Sequence, residues 1–283
     1  MLAIFRQSLA RSRGQILGWG ICLAILAAYL MSFYDTLAGQ REQLQQLLSG
    51  YPPELMAFFG DSSDMATASG FLEVEFFSYM PLVIGVFAVL AGSGMTSADE
   101  ENGTLDLVLA HPLSRAALFF GPLLGLVATT LGILAVSWGG FIIGLRWTSM
   151  DVSAAELALP FVSLAATLLL FAALSLLMSM VLPSRRLAAM VGGITLVASF
   201  FITSLARIDE NLEPLARFSP LDYYQSGDAL LGLNWEWLLG LVTAAAVFAL
   251  LAWWRFERRD IRVAGEGSWG LRLRRGRRPR DAL

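Results

Sequence analysis

From Leu157 to Leu182 the chain reads LALPFVSLAATLLLFAALSLLMSMVL, a run without one charged side chain. A helix rising 1.5 Å per residue needs about 20 such residues to cross a hydrocarbon core of about 30 Å, and this run exceeds that length. Working outward, five further stretches meet the same test, Ile16–Tyr34, Phe76–Met95, Ala116–Leu145, Ala188–Ala206 and Trp237–Trp254. The expectation is an all-α membrane protein with six transmembrane helices, forming a single transmembrane domain over residues 1–283. The third stretch is the longest. Gly121-Pro122 and Gly139-Gly140 are expected to weaken or interrupt it, because proline removes a helical hydrogen bond and glycine a helix preference. The first apolar run is too long for a secretory signal and lacks a small-residue cleavage site, so no signal peptide is expected.

Composition agrees with a lipid solvent. Of 283 residues, 56% are hydrophobic and 15% charged, with a mean hydropathy of +0.63; soluble chains carry about 25% charged residues. All 20 basic residues are Arg. Without lysine the chain has no phosphate-loop motif, no Schiff-base chemistry and no lysine nucleophile. One cysteine, Cys22, and one histidine, His111, exclude an internal disulfide and a Cys/His metal cluster. The centres of the six stretches contain no Asp, Glu, Arg or His; Glu73 and Glu75 are expected at the edge of the second, where a carboxylate costs little. No catalytic constellation and no metal-binding set is present in the pattern, so the chain does not read as an enzyme, an ion-coupled carrier or an intramembrane protease.

Arginine also orients the chain. Sixteen fall on one side (Arg6, Arg11, Arg13, Arg115, Arg185, Arg186 and ten from Arg255 to Arg280), and four on the other (Arg41, Arg146, Arg207 and Arg217). The positive-inside rule then places both termini and the loops near 100–115 and 183–187 in the cytoplasm of a multi-pass cell-membrane protein. Residues 1–15 have the pattern of an amphipathic interfacial helix. Residues 35–75 form a large external loop with helical spacing at Arg41–Leu48. The basic tail, 255–283, reads as a topology anchor touching membrane lipid rather than a nucleic-acid site.

Small and hydroxylated residues punctuate the spans. Gly121/Gly125, Gly140/Gly144 and Ser175/Ser179 recur at four-residue spacing, and Thr195, Ser199 and Thr203 line one face of the fifth stretch. Such residues serve helix packing in lipid. The alternative for the Thr195/Ser199/Thr203 stripe is a dimer face or a translocation path.

Between the second and third stretches lies Thr96–Arg115, TSADEENGTLDLVLAHPLSR. Ser97 with Glu100 three residues on is a capping-box pattern, Gly103 interrupts the helix so begun, and Thr104 can cap a second one, Leu105–Ala110, which Pro112 ends. Leu105, Leu107, Val108 and Leu109 make that helix too apolar to face water all round. It is suited either to a partner's groove or to packing on the protein's own inner face.

The run Glu100-Glu101-Asn102-Gly103-Thr104-Leu105-Asp106-Leu107-Val108-Leu109-Ala110-His111-Pro112-Leu113-Ser114-Arg115 resembles the segment between spans two and three of ABC-2-type transporter permeases. Similar to that family, too, are the six-span layout with its large first external loop, the Ser219-Pro220-Leu221-Asp222-Tyr223-Tyr224 segment and the Arg258-Arg259-Asp260-Ile261 ending. The resemblance implies that residues 96–115 include a coupling helix docking onto a cytoplasmic ATPase through Glu100, Glu101, Gly103, Thr104, Leu105, Leu107, Pro112, Ser114 and Arg115. It further implies two ATPase subunits holding ATP and Mg, no cofactor on this chain, a second permease chain as in a homodimer, and export. The apolar spans suit a hydrophobic or amphipathic small molecule, drug or lipid-like. A permease dedicated to a maturation or self-immunity system, a non-transporting scaffold that recruits an ATPase, and a channel remain as alternatives.

Overall fold

The computed structural model describes residues 1–39, 50, 67–95 and 114–258. Described helices are α1 (Leu2–Arg11), α2 (Arg13–Gly39), α3 (Ala68–Leu72), α4 (Met80–Gly94), α5 (Arg115–Leu145), α6 (Ala154–Val181), α7 (Arg185–Ala206), α8 (Glu213–Ala216) and α9 (Trp235–Arg258). Five of them, α2, α5, α6, α7 and α9, are long and apolar enough to cross a membrane. Ala68–Phe77 and Met80–Gly94 pass the same test only as a pair bent by 42°, which brings the number of candidate crossings among the described residues to six where the pair is counted as one span.

The break falls in the second expected span, not the third. α5 runs unbroken through Pro122 and Gly139-Gly140. In the second span α3 passes into a π-helical turn, Glu73–Phe77, and α4 restarts at Met80 with Pro81 in its first turn. Proline lacks the N–H that would have bonded the carbonyl four residues back, here that of Phe77. That carbonyl is instead satisfied from outside the helix, by the Tyr224 hydroxyl at 3.0 Å.

α6 is the hub. Within its most apolar window 72% of the residues are buried, against 17% for α9 and 22% for α2. It starts with a capping box, Ser153 and Glu156 each bonding the other's backbone N–H. Around it pack α4, α5, α7 and α9. Phe76 and Phe77 of the π turn insert against Phe141 of α5 and Phe161 of α6, with Phe76–Phe141 and Phe77–Phe161 centroids 4.8 and 5.2 Å apart.

The small residues act as contact points between helices. A Cβ on Gly140 would strike Ala24 of α2, and one on Gly144 would lie 2.7 Å from Met31. Gly121 and Gly125 receive α1, at Ile4 and at Ser8. Gly92 of α4 lies against the Ala172 carbonyl of α6, and Gly192 of α7 against Ser175. Without a hydrophobic drive between helices in lipid, such close backbone approach is what van der Waals attraction requires. Many hydroxyls turn back to their own helix: Thr129 donates to Gly125 O, Thr167 to Ser163 O and Ser179 to Leu176 O.

Candidate functional site

Cross-chain contacts define two ends of the bundle. At one, Arg115 at the start of α5 donates through Nη1 to the Glu257 carbonyl at the end of α9, 2.9 Å away. At the other, Asp35 of α2 accepts from Ser149 N at 2.9 Å and from Thr148 Oγ1 at 3.1 Å, joining α2 to the turn after α5. The first end carries α1, Arg115, Arg185, Arg186, Arg255 and Arg258, and is called here the Arg-rich end. The second, the loop end, carries the turns between α7 and α9.

Of the residues singled out for docking, Glu100, Glu101, Gly103, Thr104, Leu105, Leu107 and Pro112 lie outside the described residues, as do the expected capping box at Ser97 and the helix Leu105–Ala110. Both anchors of that segment are described. On the entry side, the Arg185 guanidinium covers Gly94 at the end of α4, so closely that a Cβ there would be 2.9 Å from it. On the exit side, Ser114 is the N-cap of α5, its Oγ accepting from Ala117 N at 3.2 Å. Arg115 is engaged with α9 as described. Next to it, Phe119 and Phe120 of α5 pack on Trp253 of α9, with centroids 5.2 and 5.0 Å apart. The described residues flanking that segment thus meet α7, at Gly94, and α9, at Arg115.

The hydroxyl stripe of α7 divides. Thr195 donates to the Val191 carbonyl of its own helix. Ser199 and Thr203 are joined through Ser219: Thr203 Oγ1 lies 2.9 Å from Ser219 Oγ, which donates to the Ser199 carbonyl at 3.2 Å. Ser219 belongs to the Ser-Pro-Leu-Asp-Tyr-Tyr segment, which forms a 3-10 turn, Pro220–Tyr223, folded against α7.

That segment builds a polar knot at the loop end. Gln225 N donates to Ser163 Oγ of α6 at 3.0 Å, while its side chain grips the Asn234 backbone, Nε2 to the carbonyl at 3.0 Å and Oε1 from the N–H at 2.5 Å. Asn234 Oδ1 in turn caps α9, accepting from Glu236 N at 3.1 Å. Glu73, expected at a water-exposed edge, is buried; its carboxylate lies 3.6 Å from Arg207, and Gly227 packs on its Cα and Cβ. Burial and the neighbouring Glu73 charge hold the Tyr224 phenol well above its usual pKa, so it stays a donor to Phe77.

Beside the knot is a cavity of about 410 Å³, lined among others by Thr203, Arg207, Glu213, Asp222, Asp228 and Trp237. Burial pushes the Asp222 carboxyl up; Arg207 and Arg217 oppose this and Glu213 adds to it. Sequence marked the Ser219–Tyr224 segment but not its partners, because these are spread from Glu73 to Trp237. Pro81 inside an apolar run, and the Asn-x-Glu pattern at Asn234, are signals that could have found those partners.

No curated protein matches the chain. A family model described as ABC-2 family transporter protein matches residues 2–261, nearly the whole length, and with it the helical, multi-span architecture identifies the chain as a member of the ABC-2 family of transporter membrane proteins.

Proposed function

We propose that the chain is the permease subunit of an ATP-driven ABC transporter in the cell membrane, with both termini cytoplasmic, and that a separate ATPase docks on residues 96–115. Membership of the family over residues 2–261 carries this reading, since the family normally works with an ATPase partner. The anchors of the segment support it: a docked helix transmits force only if its ends are fixed, and here Gly94 sits beneath Arg185 of α7 while Arg115 is bound to the end of α9. Movement of the ATPases would then reach α4 and α5 first, and α7 and α9 through these contacts. Two such chains enclose the pathway, two ATPase subunits bind ATP and Mg beneath them, and the direction is export of a hydrophobic or amphipathic small molecule.

The test is a mild-detergent pull-down of the chain from its host. A stoichiometric phosphate-loop ATPase is expected with the wild type, and its loss with the Leu105→Glu/Leu107→Glu double variant while the permease stays folded. Full retention of the ATPase by the variant would defeat docking through this segment. A chain that brings down no ATPase would favour the scaffold or channel.

A further inference from the structure

The cavity at the loop end lies at the far end of the bundle from Gly94 and Arg115, and its walls are fixed before anything enters. Ser219 is tied to Thr203 and Ser199, Gln225 to Ser163 and Asn234, and Tyr224 to Phe77. Preformed pockets of about 300–1,000 Å³ are the usual size for small ligands, and about 410 Å³ falls within that range.

Its charges do not cancel. Arg207, on the wall, lies 3.6 Å from Glu73, and Glu213 is paired with Arg217 at 2.7 Å. Asp222 and Asp228 remain; the half-buried Asp222 carboxylate feels Arg207 and Arg217 but lies within hydrogen-bond or ion-pair distance of neither. An anion would meet this excess negative charge and an arginine already engaged by a carboxylate. An inorganic cation is not favoured either: no group of three or more His, Cys, Asp or Glu side chains converges among the described residues, and a metal ion needs a tight oxygen shell rather than a chamber of this volume. Trp237, part of the wall, stacks edge to face with Tyr223, their centroids 5.9 Å apart. Arg207 and Arg217 act on Asp222 as well, but each has a glutamate within ion-pair distance, so the wall keeps an excess of negative charge; an indole on the same wall suits an organic cation, which gains from the ring and the charge together.

We infer that this cavity is a binding site for an ammonium group, with Asp222 supplying the counter-charge and Trp237 the aromatic wall. The group reaches it either on a small soluble amine or on a lipid headgroup, which present the same ammonium chemistry. Nothing in the inference depends on an ATPase, so it stands or falls separately from docking.

The probe is choline, titrated onto the full-length chain in dodecyl maltoside and read by calorimetry and by saturation transfer to the choline methyl protons. Its neutral isostere, 3,3-dimethylbutan-1-ol, is the control. Saturable choline binding is expected, with little or none by the isostere. Asp222→Asn should weaken it by about tenfold or more, the size of one lost interaction with a charged group, and Trp237→Leu should weaken it several-fold. Glu257→Gln, at the opposite end, should change nothing. Burial of the Asp222 charge outweighs its attraction to Arg207 and Arg217, so the melting temperature of Asp222→Asn should not fall below that of the wild type. Adding phosphatidylcholine, but not phosphatidylglycerol, to the micelles should displace choline if the headgroup is the source; an unchanged choline affinity points to a soluble amine. Absence of saturable binding, equal binding of the isostere, or an undiminished affinity in a folded Asp222→Asn protein would overturn the inference.

Discussion

At the loop end, segments far apart in sequence are joined by hydrogen bonds: Tyr224 to Phe77, Gln225 to Ser163, Ser219 to Thr203, with Arg207 near Glu73. At the Arg-rich end the described contacts are largely steric and apolar. There α1 lies on Gly121 and Gly125, Gly92 meets the Ala172 backbone, and Phe119 packs on Trp253 and Phe256. The difference follows from what each end has to satisfy. A broken span and a run of 3-10 turns leave carbonyls and N–H groups without helical partners, and these must be paired by side chains. Unbroken helices have no such need, so their association rests on how closely backbones approach.

The comparison can be broken first at the steric end. Gly92→Val would drive side-chain atoms into the Ala172 carbonyl, which belongs to a rigid helix and cannot yield. The expected loss is about 3 kcal/mol or more, seen as a large fall in detergent melting temperature. Gly193→Val, with open space at its Cβ position, should stay within about 0.5 kcal/mol. Equal effects at the two positions would remove the steric account. At the loop end, Gln225→Ala leaves both Asn234 backbone groups without their partner and is expected to cost about 2 kcal/mol. The same melting measurement checks it, and a neutral outcome would mean that the knot adds no stability. The smallest effect is expected from Arg115→Ala, whose exposed bond to Glu257 O joins two helices already packed through Phe119 and Phe120. Stability should change by a few tenths of a kcal/mol. If the contact transmits force, ATPase stimulation in the reconstituted complex should fall while ATPase binding persists; loss of binding would instead make Arg115 a docking residue.

Much of the architecture was legible from the chain. Uncharged runs of sufficient length coincide with five helices long and apolar enough to cross a membrane and with one bent pair, and the glycines at four-residue spacing, expected only to serve helix packing, are where α1 and α2 approach α5. The third stretch was the one open to interruption by sequence, because Gly121-Pro122 is a stronger local breaker than a single Pro81 by propensity alone, yet the bend lies in the second. In α5 the proline sits within a long helix gripped by α1, whereas Pro81 has an outside donor, Tyr224, for the carbonyl it leaves free. Propensity weighs a residue against water; the fold weighs it against whichever group arrives opposite it.

The same distinction divides the whole molecule. Hydropathy over about 20 residues is a local property, so sequence by itself determined the lipid solvent, the helical class and the absence of lysine chemistry. The family resemblance of the segment 96–115 likewise needed no structure, because its motif is contiguous. The burial of Glu73, the joining of Ser199 and Thr203 through Ser219, and the cavity between Arg207, Asp222 and Trp237 were decided only by tertiary structure. Each depends on residues from different spans meeting at one end of the bundle, and spacing along a chain carries no record of such meetings.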